Sequence, residues 1–117
     1  MHELGLMNNM LKTAKNALEG QLKPNEKVSK LVLEVGELTG AVPAYLKTAY
    51  DSLKVDTIFE QCELETIFLP GTVRCKSCGE EFAAREHNFT CPKCEGIDLS
   101  FVTGKDLVIK EIVVEDN

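Results

Sequence analysis

Two pairs of cysteines pose the first chemical question. CKSC at residues 75–78 and CPKC at residues 91–94 each separate two thiols by two residues. A turn of that length aims two sulfurs at one point. Two such turns supply four thiolates, the donor set of a tetrahedral metal site. Twelve residues lie between the pairs, room for a short hairpin with residues 80–83 as its candidate strand. Cys75, Cys78, Cys91 and Cys94 are therefore the expected ligands. A closed set of four leaves no position for a reactive water, so the site reads as structural and not hydrolytic. Zn(II) is the default metal for such a set. Iron adopts the same geometry in rubredoxin-like knuckles, but the sparse apolar and aromatic shell here favours zinc.

The remaining reactive side chains are few. Cys62 alternates within an apolar run and reads as an inert buried thiol. His87, in REHNF between the knuckles, reads as a solvent-facing loop residue. His2 directly follows Met1 in MHELGL. By position alone it belongs to a solvated chain end. No paired nucleophile and base, Gly-rich phosphate loop or Ser/His/Asp arrangement is present in the sequence, which argues against an enzyme.

The elements that must position these groups follow from periodicity. Leu4, Met7, Leu11, Ala14 and Leu18 recur at helical spacing, with Met10 and Ala17 widening the stripe, and Gly20 and Pro24 end the run. Residues 28–38 (VSKLVLEVGEL) alternate as a strand does. Pro43 suits the first turn of a second helix, whose apolar stripe is Leu46, Ala49, Tyr50 and Leu53. A second strand, 62–68, ends at Pro70-Gly71, and LVIKEIVV at 107–114 reads as a third. The cysteine segment thus falls between two strands of one sheet. The expected architecture is α+β: two helices on a three-stranded sheet, with an inserted zinc-ribbon-like module built on the four cysteines. The expected units are residues 1–71 with 104–117 as the body, and 72–103 as the module.

At 117 residues the chain fits one domain with a small appendage. Thirteen basic against nineteen acidic side chains give a net charge of −6, a poor balance for neutralising phosphates, so nucleic acid is not an expected partner. No apolar run approaches the ~20 residues that span a bilayer, and a basic-then-apolar leader pattern is absent. A cytoplasmic protein without membrane association is expected. Five cysteines in such a chain point to metal before disulfide.

Together, the initial Met-His-Glu, the early amphipathic helix, the strand running into VGELTG and the late C-x2-C-x12-C-x2-C resemble the HypA/HybF family of hydrogenase nickel-incorporation proteins. The resemblance spans nearly the whole chain, in order. It implies a nickel metallochaperone for maturation of nickel-iron hydrogenase, with Ni(II) as cargo and Zn(II) as structural metal. Nickel then falls on His2, with Met1 and Glu3 adjoining, and zinc on the four module cysteines. The implied partners are a nickel-handling maturation GTPase and the hydrogenase large subunit; separately, the chain is expected to be a monomer or weak homodimer.

Chemistry supports that placement. The Met1 amine, with a reference pKa of about 7.7–8.0, is readily deprotonated by a metal. Amine, His2 amide nitrogen and His2 imidazole form fused chelate rings in one plane, with the Glu3 amide nitrogen or carboxylate as fourth donor. Planar nitrogen sets suit Ni(II) far better than Zn(II). The alternatives are a zinc-ribbon adaptor with an incidental His2, and a rubredoxin-like iron electron carrier.

Overall fold

The computed structural model describes residues 2–116. Helix α1 (His2–Leu18) opens the chain, followed by strand β1 (Glu26–Gly36), helix α2 (Pro43–Leu53) and strand β2 (Glu63–Leu69). Three short strands follow, β3 (Thr72–Cys75), β4 (Glu81–Ala83) and β5 (Leu99–Thr103), before the long closing strand β6 (Leu107–Asp116). None of the described helices is long and apolar enough to cross a membrane.

The body is α+β, as expected. β1 is the middle strand of a sheet ordered β2-β1-β6, parallel to β2 and antiparallel to β6. In register, Leu31 faces Leu64 on one side and Ile112 on the other. Alternation sends Leu31, Leu33 and Val35 to one face, where they are fully buried with Met7, Ala14, Leu46, Ala49 and Tyr50 from the two helices. Burial of these side chains drives the packing, with Met7, Leu31, Leu33, Val35 and Leu46 each contributing about 1.5–3 kcal/mol when fully removed from water. Cys62 lies in this core, 2% exposed. The Tyr50 hydroxyl donates to its carbonyl at 2.6 Å, tying α2 to the entry of β2.

Two details of the sequence reading change. On α1 the buried row is Glu3, Met7, Leu11 and Ala14, whereas Leu4 and Ala17 are exposed. Leu4 shares its helical row with Asn8 and Lys15, which faces solvent, so a carboxylate occupies the inward position nearest the N-terminus. β1 runs 26–36 instead of 28–38, and Glu37–Thr39 forms a 3-10 turn closed by Gly40 at φ 77°. The chain leaves the sheet at Gly36 because its next amides find other acceptors. Leu38 N–H donates to the Gly104 carbonyl at 2.8 Å.

The second unit is a three-stranded antiparallel sheet, β4-β3-β5. β3 and β5 are four and five residues long, too short for periodicity to mark them. Their core is small: Val73, Cys75, Phe82, Ala84 and Cys91, with Leu38 and Leu99 packed against it. The two units together measure 58 × 27 × 17 Å with a radius of gyration of 17.7 Å. A compact chain of this length has about 13 Å. The molecule is elongated.

Candidate metal centre

β3 delivers Cys75 to the first knuckle, and the two knuckles repeat the same backbone scheme. Cys75 N–H donates to the Glu80 carbonyl at 2.8 Å and Gly79 N–H to the Cys75 carbonyl at 2.8 Å. Cys91 N–H donates to the Gly96 carbonyl at 2.9 Å and Glu95 N–H to the Cys91 carbonyl at 2.8 Å. The residue after each second cysteine is left-handed: Gly79 at φ 81° and Glu95 at φ 63°. This turn brings both sulfurs of each pair inward.

The result is a single cluster. The sulfurs of Cys75, Cys78, Cys91 and Cys94 lie within 4.8 Å of one another, with Cys75–Cys94 and Cys78–Cys91 each at 3.5 Å. Zn–S bonds of about 2.3 Å in a tetrahedron place sulfurs about 3.8 Å apart, so the spacing fits such an ion. Cys75 and Cys91 are buried while Cys78 and Cys94 are exposed. Gly96 lies against the cluster, where a Cβ would stand 3.2 Å from the Cys94 sulfur and 3.3 Å from that of Cys75.

The sulfurs are not equivalent. Amide N–H groups of Cys78 and then Ser77 point at the Cys75 sulfur and hold its thiol down at about 7. The Gly96 amide acts the same way on Cys94, but the adjoining thiols of Cys75 and Cys78 outweigh it and push Cys94 up to about 12. One sulfur is a ready thiolate, another a reluctant one. Such an array binds a metal only by shedding protons.

The other singled-out groups stand apart from this cluster. Cys62 lies in the body core, where burial pushes its thiol up. His87 is exposed in a 3-10 turn (Arg85–His87) and sets its ring edge-on to Phe82, 5.7 Å between centroids. His2 is exposed at the start of α1, and Met1 lies outside the described residues. Glu3 does not follow His2 into solvent. Its carboxylate is only 9% exposed and accepts the Val42 N–H at 3.2 Å.

Sequence reasoning missed the residues that join the two units. Glu37 Oε1 accepts the Gly71 N–H at 2.7 Å, and Arg85 Nη2 donates to the Glu37 carbonyl at 3.3 Å. Three chain segments meet here with their backbones in close approach at glycines. A Cβ on Gly36 would collide with the Gly104 carbonyl, and one on Gly104 with the Pro70 carbonyl. The signal was present as glycines at each passage between units, but glycine alone reads only as a turn.

With this geometry in hand, known proteins offer close parallels. Residues 1–114 match the family model described as HypA, hydrogenase/urease nickel incorporation, metallochaperone. The hydrogenase maturation factor HypA of Trichormus variabilis is 34% identical over 116 residues, covering 99% of this chain and 97% of that protein. Its counterpart in Dehalococcoides mccartyi is also 34% identical, over 99% and 96%. Among solved structures, the Ni metallochaperone HypA from Helicobacter pylori superposes with a TM-score of 0.69 at 13% identity, covering 94% of each chain. That likeness speaks to the fold.

Proposed function

The chain belongs to the HypA family, and from that premise we propose that it is a nickel metallochaperone in hydrogenase maturation, carrying Ni(II) at its N-terminus. The observation that supports the N-terminal site most directly is the placement of His2, exposed at the first residue of α1. Amides in a first helical turn have no helical acceptor, so the His2 and Glu3 nitrogens are free to serve a metal. Met1 amine, His2 amide and His2 imidazole make three planar donors with the His2 amide between the other two, and the fourth position, opposite that amide, stays open to a further ligand. The positive end of the helix dipole opposes a bare cation. The deprotonated amide offsets that repulsion, giving a site that is selective yet open to solvent. A carrier must release its ion, and an exposed planar site permits this.

The four-thiolate cluster of Cys75, Cys78, Cys91 and Cys94 would hold zinc. Its role is to fold residues 72–103 as a metal-dependent unit on the body of 1–71 and 104–117. Bound there, zinc supplies a cross-link for a core too small to stand alone. The chain acts as a carrier and not as a catalyst. It receives or passes nickel through a maturation GTPase in the cytoplasm and delivers it to the hydrogenase large subunit.

The test is nickel titration of protein beginning at Met1, beside His2→Ala and a form with Gly-Ser ahead of Met1. The extension turns the Met1 amine into a peptide nitrogen and moves the free amine beyond the His2 ring. Both changes break a chelate ring and are expected to weaken nickel binding at least about tenfold, which corresponds to about 1.4 kcal/mol, and to leave zinc content unchanged. Equal nickel affinity in all three proteins would sink the N-terminal site.

A further inference from the structure

We propose that Glu3 is a positioning residue for the N-terminal nickel site, acting through the Val42 N–H, and that its carboxylate is not itself a nickel donor. The inference rests on the N-terminal reading above. Among the described residues, Glu3 is the one charged side chain that is buried. A carboxylate withdrawn from water is destabilising unless a donor compensates it. Here the donor is the amide of Val42, 39 residues further along the chain.

Val42 is the N-cap of α2 and carries no side-chain cap of its own. The amides at a helix start lack acceptors, and the dipole there favours negative charge. Glu3 meets both needs from a different helix. It therefore clips the first turn of α1 to the first turn of α2.

The clip and the chelate share a backbone. Successive side chains on a helix diverge by about 100°. Accordingly His2 points to solvent while Glu3 points into the protein. For the carboxylate to reach an ion held beside His2, it would have to abandon the Val42 amide. Held in place, it fixes the peptide units on either side of Glu3, and with them the backbone from which the His2 imidazole extends. His2 and Glu3 are thereby held before the metal arrives, and preorganisation of this kind strengthens binding without adding a contact.

Val42 also ends the loop that the cysteine module grips. That loop starts at Gly36; the module's Arg85 donates to its Glu37 carbonyl and its Leu38 packs against the module core. Glu37 and Leu38 also bond Gly71 and Gly104 at the two ends of the module. Glu3 thus anchors the nickel end of the body to its most constrained connection.

The experiment compares protein beginning at Met1 with Glu3→Gln, Glu3→Ala, Val42→Pro and His2→Ala. It reads nickel affinity by chelator competition, the visible absorption of the nickel complex, and exchange of the Val42 amide proton in nickel-free protein. Glutamine keeps the shape and an acceptor oxygen but cannot serve as an anionic ligand. It is expected to bind nickel within about threefold of wild type, with the same absorption. Glu3→Ala is expected to weaken nickel about tenfold with the absorption unchanged and the Val42 amide exchanging faster. Val42→Pro removes the donor and leaves every N-terminal residue intact, so its nickel affinity should fall alongside that of Glu3→Ala. A Glu3→Gln protein as weak as Glu3→Ala, with shifted absorption, would make the carboxylate a donor and overturn the proposal. So would a Val42 amide that exchanges equally in wild type and Glu3→Ala. Full nickel affinity in His2→Ala would remove the N-terminal reading itself, and the positioning role with it.

Discussion

The four thiols of the cluster differ in acidity before any metal arrives, and the difference has a measurable consequence. Cys75 is held down at about 7 by the Cys78 and Ser77 amides. For Cys78, the Glu80 amide is outweighed by partial desolvation of the sulfur among its neighbours and by the Cys91 thiol, so its thiol sits above the usual cysteine range. Cys94 is pushed up to about 12. At pH 7, Cys78 and Cys94 are thus protonated, while Cys75 is near half ionisation. A tetrahedral zinc site needs four thiolates. Binding at pH 7 should therefore release at least two protons, those of Cys78 and Cys94. The sign follows directly: protons compete with the metal, so zinc affinity rises with pH and falls as acid returns protons to the sulfurs, Cys75 among them below about 7. Calorimetric titration in buffers of different ionisation heat measures the number released. Fewer than two would mean that one of these thiols does not ligate. Cys62 stays outside this count, because burial pushes its thiol up and it lies in the other core.

At the level of the element, the two knuckles are one design with one unequal position. Gly79 and Glu95 occupy the same left-handed turn, yet only glycine adopts it without steric opposition from a Cβ. A side chain in that region costs roughly 1–2 kcal/mol, against about 0.5–1 kcal/mol for the entropy glycine adds to the unfolded chain. Glu95→Gly should therefore stabilise the second knuckle by about 0.5–1 kcal/mol and raise zinc affinity about two- to fivefold. Gly79→Ala should shift affinity the other way by a similar factor. Competition against a zinc chelator checks both, and an unchanged Glu95→Gly would show the turn to be unstrained. The same elements show where sequence is informative. The cysteine spacing announced the cluster, and strict alternation in Leu31, Leu33 and Val35 announced the central strand. β3 and β5 escaped notice because strands of four and five residues contain too few alternations, and their pairing with each other is non-local. Glu3 was legible as a first-turn acid, but its tie to Val42 joins residues 39 apart and has no local signature. The exposure of Leu4 has the same origin: a tertiary neighbour, not propensity, decides which of two adjacent rows faces the core.

Across the whole molecule, two cores of very different size share one junction. The apolar core of the body joins thirteen buried residues of two helices, a sheet and their connections. The module buries five, two of them cysteines of the cluster, so much of its interior is the metal site itself. Below about 40 residues a unit seldom stabilises itself without a metal or disulfide. The chain passes between the units twice, at Gly71 and Gly104, where Gly36 packs against Gly104 and Glu37 and Arg85 bridge the two units. Loss of the metal should therefore melt one unit without melting the other. Cys94→Ser leaves three thiolates and an alcohol, which binds zinc far more weakly. It should lose zinc and the strand pairing of β3 with β4 and β5, while the β2-β1-β6 sheet keeps its protected amides. The elongated shape, at 17.7 Å radius of gyration, should expand as the module loosens. Amide exchange resolved by residue, together with small-angle scattering, reads both effects. Retained zinc with undiminished protection at Val73 and Phe82 would overturn the four-sulfur assignment. Simultaneous exposure of Leu31 and Leu33 would instead show that the units fold as one, since the body core can open with the module only if the junction transmits the whole stability of the chain.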